Sequence, residues 1–139
     1  MIILDTNVVS EPLKLQPDAA VLGWLDAHVP ETFYITTINL AELLAGVEAL
    51  PPGRRREALE QAISGQVADL FEERVLSFDT TAAAAFAKAA AGAQAQGNPI
   101  AFADCAIAAI ARAKGFAIAT RNVRDFRGTG VEIIDPWAA

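Results

Sequence analysis

The chain has 139 residues, 53% of them hydrophobic and 20% charged, which fits one folded domain and argues against disorder. The net charge of −6 and a pI near 4.7 argue against a broadly basic nucleic-acid-binding surface, although acids gathered around a metal lower the net charge while attracting cations. The single cysteine, Cys105, excludes an internal disulfide. No secretory signal or membrane-spanning stretch is visible, so we expect a cytoplasmic protein.

Short apolar segments alternate with helical patterns along the chain. The predicted strands are residues 2–5, 33–35, 75–78, 116–119 and 131–134. The predicted helices are residues 17–28, 36–50, 54–71, 79–96 and 101–114, and residues 120–130 are predicted as a loop with one helical turn. This alternation predicts an α/β fold: a single domain over residues 1–139, with a five-stranded, mostly parallel sheet and helices on both faces.

The first predicted strand ends on a carboxylate. Residues 2–4 form an apolar run that Asp5 closes, as expected for a buried strand at the point where it leaves the sheet. Ligands in open α/β sheets bind at the carboxyl ends of the strands. Asp5 is therefore a candidate for the centre of an active site.

Two further acids stand where capping and solvation explain them poorly. Glu42 comes too late in its helix for a capping box and has apolar neighbours, so we expect it away from a broadly solvated face. The alternative is a helix-edge glutamate paired with a distant arginine. Asp104 is the only charged residue between positions 100 and 111, in a helix that should be buried. Burying it unpaired costs several kcal/mol and a first-turn position offsets only about 0.3–1 kcal/mol, so the side chain needs a cation or a proton, of which we favour the cation.

A polar segment follows the fourth predicted strand and should lie beside Asp5, because both leave the sheet at the same edge. Asn122 or Asp125 would add an oxygen to the site, and Arg121 would hold a phosphate oxygen. In the alternative interpretation, Asn122 shapes the turn and Asp125 caps a short helix.

Carboxylates without histidine or cysteine nearby favour Mg²⁺ or Mn²⁺. The sequence contains no Gly-rich phosphate loop, Walker lysine or nucleophilic Ser or Cys elbow, and we interpret His28 and Cys105 as packing residues. The pattern predicts phosphodiester hydrolysis by metal-activated water. A phosphatase with Asp5 as nucleophile is the alternative enzyme, but it normally needs a second acid at the position of Asn7.

Four motifs, in order and at the usual spacing, resemble those of the PIN-domain ribonucleases. They are Leu4-Asp5-Thr6-Asn7, Ala41-Glu42-Leu43 with Gly46, Ala103-Asp104, and Thr120-Arg121-Asn122-Val123-Arg124-Asp125-Phe126. Within that family the chain is most similar to the VapC-type toxins of bacterial toxin–antitoxin pairs. Ser10-Glu11-Pro12 and Pro136-Trp137 bring it close to the FitB subgroup.

The resemblance implies a Mg²⁺- or Mn²⁺-dependent endoribonuclease that acts as a toxin, forms a homodimer and is blocked by a VapB-like antitoxin. Its catalytic and metal-binding acids would be Asp5, Glu42 and Asp104. The substrate-binding residues would be Thr6, Thr120, Arg121 and Asp125. Asn122 stands where many members have a fourth acid, so it would ligate the metal through its carbonyl or orient a water, with one metal held tightly and a second, at best, weakly. The same departure leaves open a PIN-fold module that binds its antitoxin but cleaves poorly.

Overall fold

The computed structural model describes residues 1–139. Its strands are β1 (Ile2–Leu4), β2 (Phe33–Thr36), β3 (Val75–Leu76), β4 (Ala117–Ala119) and β5 (Ile133–Ile134). Its helices are α1 (Thr6–Ser10), α2 (Ala19–Asp26), α3 (Thr37–Glu48), α4 (Arg54–Gln66), α5 (Thr80–Ala95) and α6 (Phe102–Lys114). Short 3₁₀ turns cover Glu11–Leu13, Pro30–Thr32, Val123–Phe126 and Pro136–Ala138, and a π-helical turn covers Val67–Phe71.

The strands form one sheet in the order β3-β2-β1-β4-β5, and every neighbouring pair is parallel. Strands β2 and β3 lie on one side of β1, and strands β4 and β5, which come later in the chain, lie on the other side. The strand order therefore reverses at β1, which makes its carboxyl end the switch point where α/β proteins bind ligands. The predicted α/β fold is confirmed.

Both faces of the sheet are covered, and successive residues of β1 point to opposite faces. Ile2 and Leu4 belong to one buried cluster, with Phe33 and Ile35 of β2. Ile3 belongs to the other cluster, which includes Ile107, Ile110, Ile118 and Phe126. A strand buried on both faces needs apolar residues at successive positions, which explains the Ile-Ile-Leu run.

Several helix boundaries follow the sequence signals. Thr36 caps α3 and Asp79 caps α5, each accepting a hydrogen bond from a backbone N–H in the first turn. Gly115 ends α6 in the left-handed conformation, with φ of 73°. None of the helices is both long and apolar enough to cross a membrane.

The edge strands are shorter than predicted. β3 covers residues 75–76 rather than 75–78, and β5 covers 133–134 rather than 131–134. An edge strand has one neighbour, so its ladder ends where that neighbour ends: Leu76 pairs with Thr36, the last residue of β2. The helix predicted over 54–71 also changes to a π turn at Val67.

Candidate active site

Asp5 follows β1 at the switch point and is 5% exposed. Its Oδ1 accepts hydrogen bonds from the Thr6 backbone N–H at 2.9 Å and from Asn39 Nδ2 at 3.3 Å. Its Oδ2 accepts one from Thr120 Oγ1 at 2.7 Å. Burial raises the pKa of Asp5 and outweighs these three hydrogen bonds, which lower it, while the charge of Asp125 raises it further. The carboxylate is thus fixed in one orientation.

Asn39 is the residue that the sequence analysis missed. It lies in the first turn of α3, fully buried. Its Oδ1 accepts hydrogen bonds from the backbone N–H and the hydroxyl of Thr36, at 2.9 and 2.6 Å. Its Nδ2 donates to Asp5 and, at 3.2 Å, to Thr6 Oγ1. The capping-box spacing from Thr36 to Asn39 was the available signal, but the bonds to Asp5 and Thr6 depend on the tertiary fold.

Glu42 lies on the solvated side of α3, so the prediction that it avoids a solvated face is wrong. The helix buries only Asn39, Leu43 and Val47 against the protein and leaves Ala41 and Leu44 exposed beside Glu42. The apolar neighbours were misleading because a stripe at i, i+4 and i+8 is sufficient to anchor this helix. The alternative, pairing with an arginine, is also absent: Glu42 Oε1 accepts a hydrogen bond from Thr6 Oγ1 at 2.7 Å.

Asp104 is half-buried in the first turn of α6, ahead of the fully buried residues 105–111. Phe102, in the same turn of the helix that was expected to be buried, is 70% exposed. Burial raises the pKa of Asp104 to about 6, and the charges of Asp5, Asp125 and Glu42 add to the effect, with no hydrogen bond or cation to lower it. Such mutual influence requires the four acids to lie near one another. We call Asp5, Glu42, Asp104 and Asp125 the acid cluster.

Thr120 was predicted to contact substrate, and the structure contradicts this. The residue is fully buried. Its hydroxyl donates to Asp5 and accepts the backbone N–H of Asn122 at 3.0 Å. Thr120 therefore presents no surface to a substrate and instead orients Asp5.

The loop after β4 places the other predicted residues at the surface. Asn122 and Asp125 are exposed, and Asp125 lies inside the turn Val123–Phe126 rather than capping it. The capping alternative for Asp125 is therefore wrong. Arg121 is exposed too, with its guanidinium carbon 5.2 Å from the centre of the Trp137 ring, a cation–π contact.

The buried carboxylate Glu11 lies close to this arginine. A hydrogen bond from Lys14 is the largest cause lowering the pKa of Glu11, and the charge of Arg121 lowers it further. The two segments of the FitB-like resemblance, residues 10–12 and 136–137, therefore meet around Arg121.

The acid cluster has the chemistry of a site for a hard divalent cation, because all its donors are oxygens. As the side chains stand, however, no group of three or more Asp, Glu, His or Cys is arranged to hold a metal ion. The metal site predicted from Asp5, Glu42, Asp104 and Asn122 is therefore not preformed as a closed set of protein ligands. Mg²⁺ commonly binds through one or two carboxylates and keeps several waters, and the cluster fits that mode.

Comparison with known proteins identifies the class of domain. Residues 2–131 match the model of the PIN domain family, and the chain belongs to that family.

Its relatives place it more narrowly. VapC ribonuclease Y4jK of Sinorhizobium fredii is 45% identical, over 99% of this chain and 98% of its own length. Toxin FitB of Neisseria gonorrhoeae is 39% identical over 99% of both chains. The crystal structure of FitAcB from Neisseria gonorrhoeae has a TM-score of 0.94 and covers 100% of each chain at 39% identity. The resemblance to PIN-domain proteins of the VapC and FitB type is confirmed.

Proposed function

We propose that this protein is the toxin of a VapBC-type toxin–antitoxin pair, a metal-dependent endoribonuclease that hydrolyses RNA phosphodiesters. The observation that carries the proposal is the acid cluster at the switch point, in which burial and then the charges of Asp5, Asp125 and Glu42 raise the pKa of Asp104. Perturbed carboxyl groups gathered at such a point are typical of catalytic sites. The substrate class is supported by the relatives: besides VapC ribonuclease Y4jK, a tRNA(fMet)-specific endonuclease VapC of Salmonella typhimurium is 31% identical over 95% of each chain.

In this proposal Asp5, Glu42 and Asp104 hold Mg²⁺ or Mn²⁺, with the Asn122 carbonyl as a weaker ligand. When bound, the cation supplies a water of lowered pKa and neutralises charge on the phosphate. The remaining work falls to protein groups. Thr120 and Asn39 fix the orientation of Asp5, and Thr6 fixes that of Glu42.

Two of the predicted substrate contacts, Arg121 and Asp125, lie at the surface. Arg121, exposed and stacked on Trp137, keeps its guanidinium donors available for a phosphate oxygen. Asp125 is exposed at the edge of the cluster, where it would face substrate or a second cation.

We further propose that an antitoxin covers this edge of the sheet. Solved structures similar to this chain are toxin–antitoxin assemblies: FitAcB, and a DNA-bound VapBC from Salmonella typhimurium with a TM-score of 0.81 at 28% identity, covering 97% of each chain. The homodimer implied by the resemblance is part of the same proposal.

The test is cleavage of RNA with Mg²⁺ or Mn²⁺ by the wild-type protein and by Asp5→Ala and Asp104→Asn variants. We expect each variant to lose at least about 10²-fold in kcat, the contribution typical of a catalytic acid or base. Glu60→Gln, which removes an exposed acid of α4 outside the cluster, should cleave like wild type. Equal cleavage by all four proteins would show that these acids have no catalytic role.

The second candidate is a PIN-fold module that binds its antitoxin but cleaves poorly. Two observations favour it: Asn122 supplies no charge, and no three side chains form a preformed metal site. Calorimetric titration of the antitoxin-free protein with Mn²⁺ separates the candidates. Absence of both metal binding and cleavage would select the inactive module.

A further inference from the structure

Three exposed arginines follow β4 at intervals of three residues: Arg121, Arg124 and Arg127. Only Arg124 lies inside the 3₁₀ turn Val123–Phe126; Arg121 precedes this turn, and Arg127 follows it in an extended conformation. We call these residues the arginine ridge. Asp125 of the acid cluster belongs to the same turn as Arg124, so the ridge and the cluster share this segment of the chain.

The backbone that carries the ridge is held firmly. Asn98 Nδ2 donates hydrogen bonds to the backbone oxygens of Arg124 and Arg127, at 3.1 and 3.3 Å. Between these arginines, Phe126 is buried in the core, and its backbone oxygen accepts the Thr129 hydroxyl at 2.7 Å. The arginine side chains are thus free at the surface while their attachment points are fixed, which lowers the entropy cost of binding a ligand.

Arg124 and Arg127 form no ion pair within the protein, whereas Arg121 lies near Glu11 and stacks on Trp137. The two ion pairs of the chain are Lys14–Glu11 and Arg56–Glu48, and neither involves the ridge. In a protein of net charge −6, three exposed guanidinium groups so close in the chain are a local concentration of positive charge. Guanidinium groups match phosphate oxygens in geometry and charge.

We propose that Arg124 and Arg127 bind the phosphate backbone of single-stranded RNA where the strand leaves the acid cluster. The proposal rests on the proposed ribonuclease function, since a strand with one phosphodiester at the cluster must place its next phosphates beside it. The regular charge of a nucleic acid favours RNA over an acidic protein segment, because each nucleotide of a bound strand places one further phosphate along the surface beyond the cluster.

The test measures how the affinity for RNA depends on salt. A fluorescein-labelled single-stranded RNA of about 16 nucleotides, the upper range of a single-strand footprint, is titrated with the antitoxin-free full chain in EDTA, and binding is followed by fluorescence anisotropy. Each phosphate contact contributes about −0.7 to the slope of log K against log salt for single strands. We expect the Arg124→Ala/Arg127→Ala protein to lose about 0.7 of slope per arginine.

Two further variants serve as controls. Replacing Arg124 and Arg127 by lysine should preserve the slope, because counterion release depends on charge. Arg54→Ala/Arg55→Ala removes two exposed arginines that also lack an ion pair, at the start of α4, and should leave the slope unchanged. Thermal melts show that the variants are folded.

An unchanged slope in Arg124→Ala/Arg127→Ala, or an equal loss in Arg54→Ala/Arg55→Ala, would overturn the proposal. The proposal would also be overturned if a ridge variant bound RNA like wild type but no longer co-purified with a co-expressed VapB-type antitoxin, because the ridge would then be a protein interface. The proposed function can fail separately. If the wild-type protein binds RNA through the ridge but does not cleave it, the ridge proposal stands and the proposed ribonuclease activity is contradicted.

Discussion

At the scale of single residues, the site depends on side chains that hold the acids as much as on the acids themselves. Thr120, Asn39 and Thr6 each bond to a carboxylate of the acid cluster. Both oxygens of Asp5 accept hydrogen bonds, and the side chain is almost fully buried. This arrangement suits a ligand of fixed orientation better than a nucleophile that must approach phosphorus, so it argues against the phosphatase alternative.

Replacing Asn39 should affect both stability and activity. Asn39→Ala leaves the Thr36 backbone N–H and hydroxyl without their partner and removes a donor from Asp5. We expect a loss of about 1–3 kcal/mol in the free energy of unfolding, measured by urea denaturation, and slower RNA cleavage. Asn122→Ala, at an exposed position, should change the stability by no more than about 0.5 kcal/mol. Similar stabilities for the two variants would contradict the role given to Asn39.

The raised pKa of Asp104 should make the free energy of unfolding depend on pH. Its pKa is raised from 3.8 to about 6, chiefly by burial, so between these values the folded state binds more protons than the unfolded state. The free energy of unfolding must then fall as pH rises through this range. Relative to Asp104→Asn, which cannot titrate, the wild-type protein in EDTA should be progressively less stable from pH 4 to about pH 6. Parallel stability curves for the two proteins would contradict this.

At the scale of elements, the segment that follows the turn carrying Asp125 lies in close contact with α5. A Cβ added at Gly92 would lie 2.5 Å from the backbone oxygen of Gly128. Gly128 itself has φ of 82°, a conformation that favours glycine. The backbone at Gly128 can approach α5 this closely only because Gly92 and Gly128 both lack side chains.

Gly92→Ala should therefore displace the turn. We expect a loss of about 1–3 kcal/mol, the usual cost of overpacking, together with reduced RNA cleavage because Asp125 moves with the turn. Gly23→Ala is the matched control: it lies in α2, and a Cβ there meets nothing within 4 Å. That change should instead stabilise the protein by about 0.4–1 kcal/mol. Equal effects of the two substitutions on the urea midpoint would disprove the contact argument.

At the scale of the whole molecule, the fold gathers like charges at one edge of the sheet. Like charges brought together oppose folding, and a bound cation relieves this repulsion. The strand order brings Asp5 next to Thr120 because β1 lies between β2 and β4. Stability should therefore be linked to metal binding.

Adding Mg²⁺ or Mn²⁺ should raise the melting temperature of the antitoxin-free protein. A ligand at about 100 times its Kd stabilises the folded state by about 2.7 kcal/mol. Differential scanning fluorimetry with and without millimolar metal measures the shift, and Asp104→Asn should show a smaller one. A melting temperature indifferent to metal would count against a cation site at the acid cluster.

The sequence by itself determined the order of the strands and of helices α2 to α6, the caps at Thr36 and Asp79, the glycine end of α6, and the presence of an acid after β1. These features are local, because contacts within about four residues decide where a helix begins and ends. The motifs also identified the family and named the acids that meet at the switch point.

Only the tertiary structure decided which neighbours those acids have. The bonds to Asp5 from Asn39 and Thr120 join residues 34 and 115 positions apart, and no local pattern encodes such a distance. Glu42 was expected away from a solvated face and Thr120 in contact with substrate. Both predictions were wrong for the same reason: the exposure of each residue depends on which surfaces the strand order brings together. The sequence could place a carboxylate at the end of the first strand, but only the packing of β2 and β4 on either side of that strand fixed what holds it.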